Sequence, residues 1–427
     1  MDILTDPVLL KDKLIKFYNC RILRDHELKE DYLYVCNGKI QNPMECFWDS
    51  NKNADILVDC EGGIISPGYI DIQLNGSYGY DFSSDPEIIE ESVKNVSMAQ
   101  LLLGVTSYCP TIVSSNKEVY HKVLPHLGPR AGSIHDGAEV LGAHVEGPFI
   151  NIQKKGAHDE RVIADAKGGI DVLYERYGRE NLKKYVSVIT VAPDVEGIMD
   201  CIEPLIEETG VTVSQGHSLA NVKQAEDAFK RGCNLVTHLF NAMTTFHQRD
   251  PGIVGLLGTS KNNSFYYGII CDGIHVYPNS VKIAYYAHPS GAVLVTDAMS
   301  AQCLDNGEYN LGEMDAEVRD GSVYLVGTHT IAGSVAVMTN CVKNFIEFTG
   351  ATKVEALEAA TLHPAKALKI DNRKGTLNFG ADADILILDD DLNIKRIFIS
   401  GVEATPDNVK FSPRFSPKRN RSPVHIE

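Results

Sequence analysis

The chain has 427 residues, of which 44% are hydrophobic, 23% charged and 8% aromatic, a composition that excludes both a disordered polypeptide and a small disulfide-stapled module. Forty Lys and Arg against 57 Asp and Glu leave a formal net charge of −17. That charge disfavours nonspecific binding to nucleic acid or an anionic membrane, and an anionic substrate would need a local cationic pocket.

From the N-terminus, MDILTDPVLLKDKL lacks the basic-then-apolar order of a secretory signal. No later run reaches the roughly 18 apolar residues of a membrane span. The ten cysteines include no Cys-x-x-Cys pair, so zinc-ribbon and thioredoxin-like readings fall away and a reduced, cytoplasmic protein is expected. Residues 1–66 carry the alternating stretches LIKFYNCRI, YLYVCNGKI and ADILVDC, separated by Asn-Gly and Asn-Pro punctuation, which predict a small β unit.

The rhythm changes near Pro67. From there to residue 372, strands and helices alternate, with predicted strands at 64–75, 105–111, 140–146, 185–192, 211–217, 234–239, 265–272 and 293–297. Amphipathic helical patterns lie between them, among them PEIIEESVKNVSMAQLLLG, VEGIMDCIEPLIEETG and LANVKQAEDAFKRG, the last with Ser218 as N-cap candidate and Gly232 as its close. Eight such units predict an α/β protein built on a (β/α)8 TIM-like barrel. An open doubly wound sheet would carry a Gly-rich phosphate turn after its first strand, and none is present. Residues 373–410 read again as short strands and are expected to join 1–66 in one small sheet domain. Residues 411–427, FSPRFSPKRNRSPVHIE, with a local charge of +3, read as a basic disordered tail.

In such a barrel the chemistry sits at the carboxyl ends of the strands. HVEGPF closes one strand with Glu146, SQGHS another with His217, THLFNAM a third with His238 and VTDAM a fourth with Asp297. One carboxylate and two imidazoles make a three-ligand set for a catalytic zinc-like ion with a position open to water, and Asp297 would be the base. Each residue alone is more often a hydrogen-bonded loop residue; four together on separate strands change the odds. His144, two residues before Glu146, shares its face and competes as a ligand against a position in the barrel interior.

The motifs SPGYIDIQLNG, HVEGPFI followed by KGAH, GHS, THLFNAM with RDPG, CDGIHV, VTDAM and IAGS run in this order along the chain. Over residues 14–404 the sequence resembles the N-acetylglucosamine-6-phosphate deacetylase family of the amidohydrolase superfamily. The resemblance implies a metal-dependent hydrolase that takes the acetyl group from N-acetylglucosamine 6-phosphate, giving glucosamine 6-phosphate and acetate in amino-sugar catabolism. It also implies a β-sandwich made from both termini and a homodimer. The family pattern puts the metal on Glu146, His217 and His238 and the acid/base on Asp297. It assigns His158 to substrate and oxyanion contact, and further substrate contacts to Asn241, Ala242, Arg249, Asp272, Gly273, Ile274, His275, Ile331, Ala332 and Gly333. Arg249 and His275 would hold the sugar phosphate, with a placement across the dimer interface open.

Many amidohydrolases carry His-x-His on the first barrel strand, where this chain has Asp71-Ile72-Gln73-Leu74-Asn75. Amides are poor partners for a second transition metal, so one divalent ion per subunit is expected, zinc first, with iron, cobalt or manganese compatible. Gln73 and Asn75 then read as barrel-filling hydrogen-bonders. Two competitors stand beside this reading. A cyclic amidohydrolase of dihydroorotase type is opposed by the missing His-x-His and by the phosphate set. A non-catalytic barrel scaffold is opposed by the presence of all three ligands and the acid/base.

Overall fold

Buried on both faces, the apolar runs pair side by side as the parallel strands β1 (Tyr69–Leu74), β2 (Val105–Ile112), β3 (Ala143–Glu146), β4 (Val186–Val191), β5 (Thr212–Gln215), β6 (Leu235–Val236), β7 (Tyr266–Ile270) and β8 (Ala292–Val295). The computed structural model describes residues 3–45, 53–83, 85–259, 265–319 and 321–414. Each strand pairs with the next, with register shifts in the β1–β2 and β3–β4 ladders. Between β8 and β1 the ring is completed by the parallel bridge Leu74–Ala298. There Asp297 N–H donates to Gln73 C=O at 2.8 Å and Asn75 N–H to Ala298 C=O at 2.7 Å. The expected (β/α)8 barrel is present.

Helices follow where amphipathic patterns meet stop signals. Ile198–Thr209 ends on Gly210 in the left-handed region, with φ +78, as its sequence predicts. For Val222–Lys230 the N-cap is Asn221, in a capping box with Gln224. The expected Ser218 cap is therefore wrong. Its hydroxyl bonds Asp194 instead, because the chain spends three more residues leaving the barrel mouth before it turns helical.

The first predicted strand, 64–75, is two. Ile64–Pro67 joins the small domain and β1 joins the barrel. Gly68 separates them at a point where a Cβ would lie 2.1 Å from Thr106 Oγ1. Ile64–Pro67 sits inside a six-stranded sheet whose order runs Val402–Ala404, Ile394–Ile399, Ile385–Leu388, Ile64–Pro67, Arg21–Arg24, Glu27–Glu30. A four-stranded sheet of Lys39–Gln41, Leu33–Cys36, Ile15–Tyr18 and Ile56–Asp59 faces it. Alternation along Ile385–Leu388 shows how the layers share a strand. Ile385 and Ile387 pack with Phe17, Leu33, Val35 and Phe398 in the sandwich core, while Leu386 and Leu388 join the barrel's main core. The Phe17 and Phe398 rings meet edge to face at 5.1 Å.

A three-stranded antiparallel sheet, Gly307–Leu311, Met314–Arg319 and Ser322–Leu325, is inserted after β8 and was not anticipated. At the C-terminus, Phe411 packs on Tyr78 at 4.7 Å and Arg414 N–H donates to Tyr78 C=O at 2.7 Å. The rest of the predicted tail, 415–427, and Cys46 lie outside the described residues. Among the described residues no two cysteines form a disulfide, and no helix is long and apolar enough to cross a membrane.

Ile70, Ile72, Cys109, Val188, Leu235, Ile270, Val293 and Val295 cluster with Ala365 and Ala367. Strands from around the ring contribute, so this cluster fills the lumen. The helix Leu362–Ala367 closes its end away from the mouth. On that helix His363 Nδ1–H donates to Ala292 C=O at 2.7 Å, and burial pushes its pKa down from 6.5 to about 4. A folded pKa below the unfolded value means that the unfolded chain binds more protons between these limits, so stability falls as pH drops from 6.5 towards 4. The expected loss from this group is about 3 kcal/mol by pH 4. Denaturant melts across this window should show a loss smaller by that amount in His363→Gln.

Candidate active site

At the mouth of the barrel, Glu146 ends β3, and His217, His238 and Asp297 follow β5, β6 and β8. His217, His238 and Asp297 have φ of +49, +29 and +49, a left-handed conformation that costs roughly 1–2 kcal/mol each. The turn it makes swings each side chain inward. Glu146 Oε1 lies 3.2 Å from His217 Nε2 and 3.0 Å from His238 Nε2, and the two nitrogens are 2.9 Å apart. All three side chains are buried.

Hydrogen bonds fix which atoms present lone pairs. His217 Nδ1–H donates to Lys154 C=O at 2.8 Å, so its Nε2 is bare. His158 has the opposite tautomer. Ser114 N–H donates to His158 Nδ1 at 3.1 Å, with Ser114 Oγ 2.8 Å away, which leaves the proton on Nε2. Burial and the neighbouring His217 push the His158 pKa down to about 3, so it stays neutral. One donor atom each from Glu146, His158 and His217 also falls within 4.8 Å, which makes His158 a rival to His238 for the third ligand place. Its tautomer decides against it, because a protonated Nε2 offers a hydrogen bond and no lone pair.

His144, the other candidate ligand, is excluded by its partners. Nδ1 is 2.8 Å from Ile72 C=O, to which it can only donate, and Nε2 then accepts from Thr190 Oγ1 at 2.8 Å. Gln73 and Asn75 are hydrogen-bonders as expected, but their partners are the site carboxylates. Gln73 Nε2–H donates to Glu146 Oε1 at 3.1 Å and Asn75 Nδ2–H to Asp297 Oδ1 at 2.7 Å.

The electrostatics call for a cation. Burial works to raise the Glu146 carboxyl, yet the His217 and His238 rings packed against it hold its pKa well below the ordinary value. Burial, then the charge of Glu146, pushes Asp297 up to about 7. Two carboxyl groups and two imidazoles share one dry pocket. The separations of the Glu146, His217 and His238 donors are close to the ~3.3 Å edge of a tetrahedron with ~2.0 Å bonds, so the residues fit a divalent metal ion.

The cavity above them has a volume of about 330 Å³, within the ~300–1,000 Å³ of small-molecule sites. His158, Asn241, Ala242, His275, Asp297, Ile331 and Gly333 line it. Buried polar atoms without partners collect here: Asn75 Oδ1, His238 Nδ1, Asn241 Nδ2 and His275 Nε2. Atoms left this way at a cavity wall mark a polar ligand's place. Asp272 does not reach the cavity. Its carboxylate accepts from Ile274 N–H, from His275 N–H and, at 2.6 Å, from His275 Nδ1–H, so it orients the ring whose Nε2 faces inward. Gly273 and Ile274 form that turn, and Ala332 is packed in the core of the inserted sheet. Arg249 lies exposed on the loop after His238, outside the cavity lining. Lys154 and Ser114 carried no sequence signal, since one acts through its carbonyl and the other through its backbone N–H.

A family model described as the amidohydrolase family matches residues 64–413. The chain belongs to the amidohydrolase family. It is 47% identical over 393 residues to N-acetylglucosamine-6-phosphate deacetylase of Danio rerio, covering 91% of this chain and 96% of that one. Among solved structures, N-acetylglucosamine-6-phosphate deacetylase from Pasteurella multocida superposes with a TM-score of 0.79 at 28% identity, covering 91% of this chain and 99% of that one. An Asp-to-Ala variant of the Mycobacterium smegmatis deacetylase, in complex with N-acetyl-D-glucosamine-6-phosphate, superposes with a TM-score of 0.78 at 25% identity over 92% of this chain and all of that one.

Gly333 closes the wall beside Asp297. At φ +70, an added Cβ would lie 3.2 Å from Asp297 C=O and 3.3 Å from Met299 Cβ. Gly333→Ala should move the Asp297 backbone and lower turnover on the order of 100-fold. Steady-state kinetics on the folded variant would check this.

Proposed function

We infer that the chain is a hydrolase that removes the acetyl group from N-acetylglucosamine 6-phosphate, yielding glucosamine 6-phosphate and acetate. The observation that carries this reading is the convergence of Glu146, His217 and His238 within 3.2 Å at the floor of the cavity that Asp297 and His158 also line. The near full-length kinship to deacetylases of that name supports the substrate.

Glu146, His217 and His238 would hold one divalent ion, zinc first among iron, cobalt and manganese for a donor set of two imidazoles and a carboxylate. When bound, such an ion lowers the pKa of water and polarises the amide carbonyl. Asp297, aimed by the Asn75 amide, takes the proton of the attacking water. His158, neutral and protonated at Nε2, donates to the carbonyl oxygen as negative charge grows on it. Asp297 then returns the proton to the amide nitrogen, the C–N bond breaks, and the sugar leaves as an amine. Asn241, Ala242, His275, Ile331 and Gly333 would contact the sugar phosphate, with Asp272 orienting His275 and Gly273, Ile274 and Ala332 shaping the walls.

Arg249 is outside its own chain's cavity. Its loop also exposes Phe246, and the DGIH segment exposes Ile274 and Tyr277. A homodimer that covers these side chains and carries Arg249 to the partner's substrate phosphate accounts for both features. A cytoplasmic location fits described cysteines that form no disulfide with one another.

Acetate release from N-acetylglucosamine 6-phosphate by metal-analysed protein, with the unphosphorylated sugar as control, tests the reading directly. Asp297→Asn should lower kcat by at least about 1,000-fold with metal content unchanged, whereas His217→Ala should lose the metal in elemental analysis. The acid limb of kcat/KM should lie at or below about 7, since the base form of Asp297 is needed. Mixing Asp297→Asn and Arg249→Ala protomers should restore about a quarter of wild-type activity at limiting substrate, because half the dimers are hybrid and one site in each is whole. No recovery would place Arg249 in its own chain's site.

A further inference from the structure

Under the three converging side chains lies a row of hydroxyl groups that the chemistry above does not use. Thr190 Oγ1 on β4 is 2.6 Å from Thr237 Oγ1, and Ser214 Oγ on β5 is 2.6 Å from the same Thr237 atom. His144 on β3 begins the row, with Nε2 2.8 Å from Thr190 Oγ1 and Nδ1 2.8 Å from Ile72 C=O on β1. His144, Thr190, Ser214 and Thr237 are buried.

The protons in this row run one way. A carbonyl can only accept, so His144 Nδ1 carries the hydrogen and Nε2 must accept from Thr190 O–H. With its single proton spent, Thr190 accepts from Thr237, and Thr237 in turn accepts from Ser214. One backbone carbonyl thereby sets the direction of every bond across the lumen. Aligned bonds in a dry interior polarise and stiffen one another.

The row lies against the backbone that carries both imidazoles. Thr237 immediately precedes His238, and Gly216 immediately precedes His217. Gly216 rests on the row so closely that a Cβ there would lie 2.8 Å from Thr237 Cβ and 2.9 Å from Thr190 Cγ2. The left-handed turns at His217 and His238 therefore start from a common floor. That floor ties β1, β3, β4, β5 and the start of the β6 turn.

We propose that His144, Thr190, Thr237 and Ser214 are positioning residues whose one-way hydrogen-bond row sets the spacing of His217 Nε2 and His238 Nε2, and with it the affinity for a divalent ion. The proposal rests on the reading of Glu146, His217 and His238 as a metal site. Outer partners of metal-binding imidazoles are worth ~10–100-fold in affinity. Val is nearly isosteric with Thr but lacks the proton and lone pairs that the row needs.

The test is zinc affinity of the metal-stripped protein, measured by competition with a chromophoric chelator, in Thr237→Val, Thr190→Val, Thr237→Ser and Thr190→Ser. Either Val variant should bind zinc ~10–100-fold more weakly than wild type, and the matching Ser variant should recover to within ~3-fold. KM for the substrate at saturating zinc should not change, which separates positioning of the ligands from general damage to the site. Should Thr237→Val fail to fold by circular dichroism, Thr190→Val carries the same test. A folded Val variant with wild-type zinc affinity overturns the proposal. Wild-type protein that binds no divalent ion overturns the metal-site reading instead.

Discussion

A buried carboxylate held between two imidazoles organises this molecule. Glu146 is buried where water cannot solvate its charge, and the rings of His217 and His238 against it hold its pKa well below the ordinary carboxylate value. The arrangement is complete when a positive charge joins it, and the architecture serves that requirement. Strand ends on three parts of the ring deliver the donors, Gln73 reaches across from β1 to a carboxylate oxygen, and Lys154 turns its carbonyl to His217. Strained backbone at His217, His238 and Asp297 is tolerated because the packed barrel below leaves those residues no alternative path.

Two histidines of similar burial take opposite tautomers through their hydrogen-bond partners. A backbone carbonyl at His217 Nδ1 leaves a lone pair pointing into the cavity; a backbone N–H at His158 Nδ1 leaves a proton pointing there. The rings stand edge to face at 4.6 Å. Proximity alone would group them together as ligands. The direction of one hydrogen bond on the far side of each ring separates a nitrogen that can offer a lone pair from one that can offer a proton.

Much of this was legible in the sequence, and the parts that were not have common physical causes. Parallel strands covered on both faces must be continuous apolar runs, so the eight barrel strands stand out, down to β6, where two residues of strand precede Thr237 and His238. Helix ends marked by Gly210 and Gly232 are equally plain. The first strand was read too long because Ile64–Pro67 and β1 are both buried and apolar, and only Gly68 records that the chain changes sheet. The inserted sheet was missed because its strands are half-exposed and polar. Its period-two pattern in Gly307–Leu311, with Tyr309 and Leu311 buried between the more exposed Glu308 and Asn310, followed by a Gly312 turn, is a signal that a search for hairpins would find. Gln73 and Asn75 read as filler because their partners, Glu146 and Asp297, are 73 and 222 residues away in the chain. Backbone groups such as Ser114 N–H leave no mark in a list of side chains.

The six-stranded sheet has an implication for how the polypeptide is made. Ile64–Pro67 is flanked by Arg21–Arg24 on one side and Ile385–Leu388 on the other. Roughly 320 residues separate the two neighbours that meet along Pro67 to Ile64, and a ribosome adding ~5–20 residues per second needs tens of seconds to supply the later one. During that interval a mostly apolar β-edge has no mate. The nascent protein must shelter it, by a chaperone or by the growing barrel's own surface, until Ile385–Leu388 is made and seals the seam.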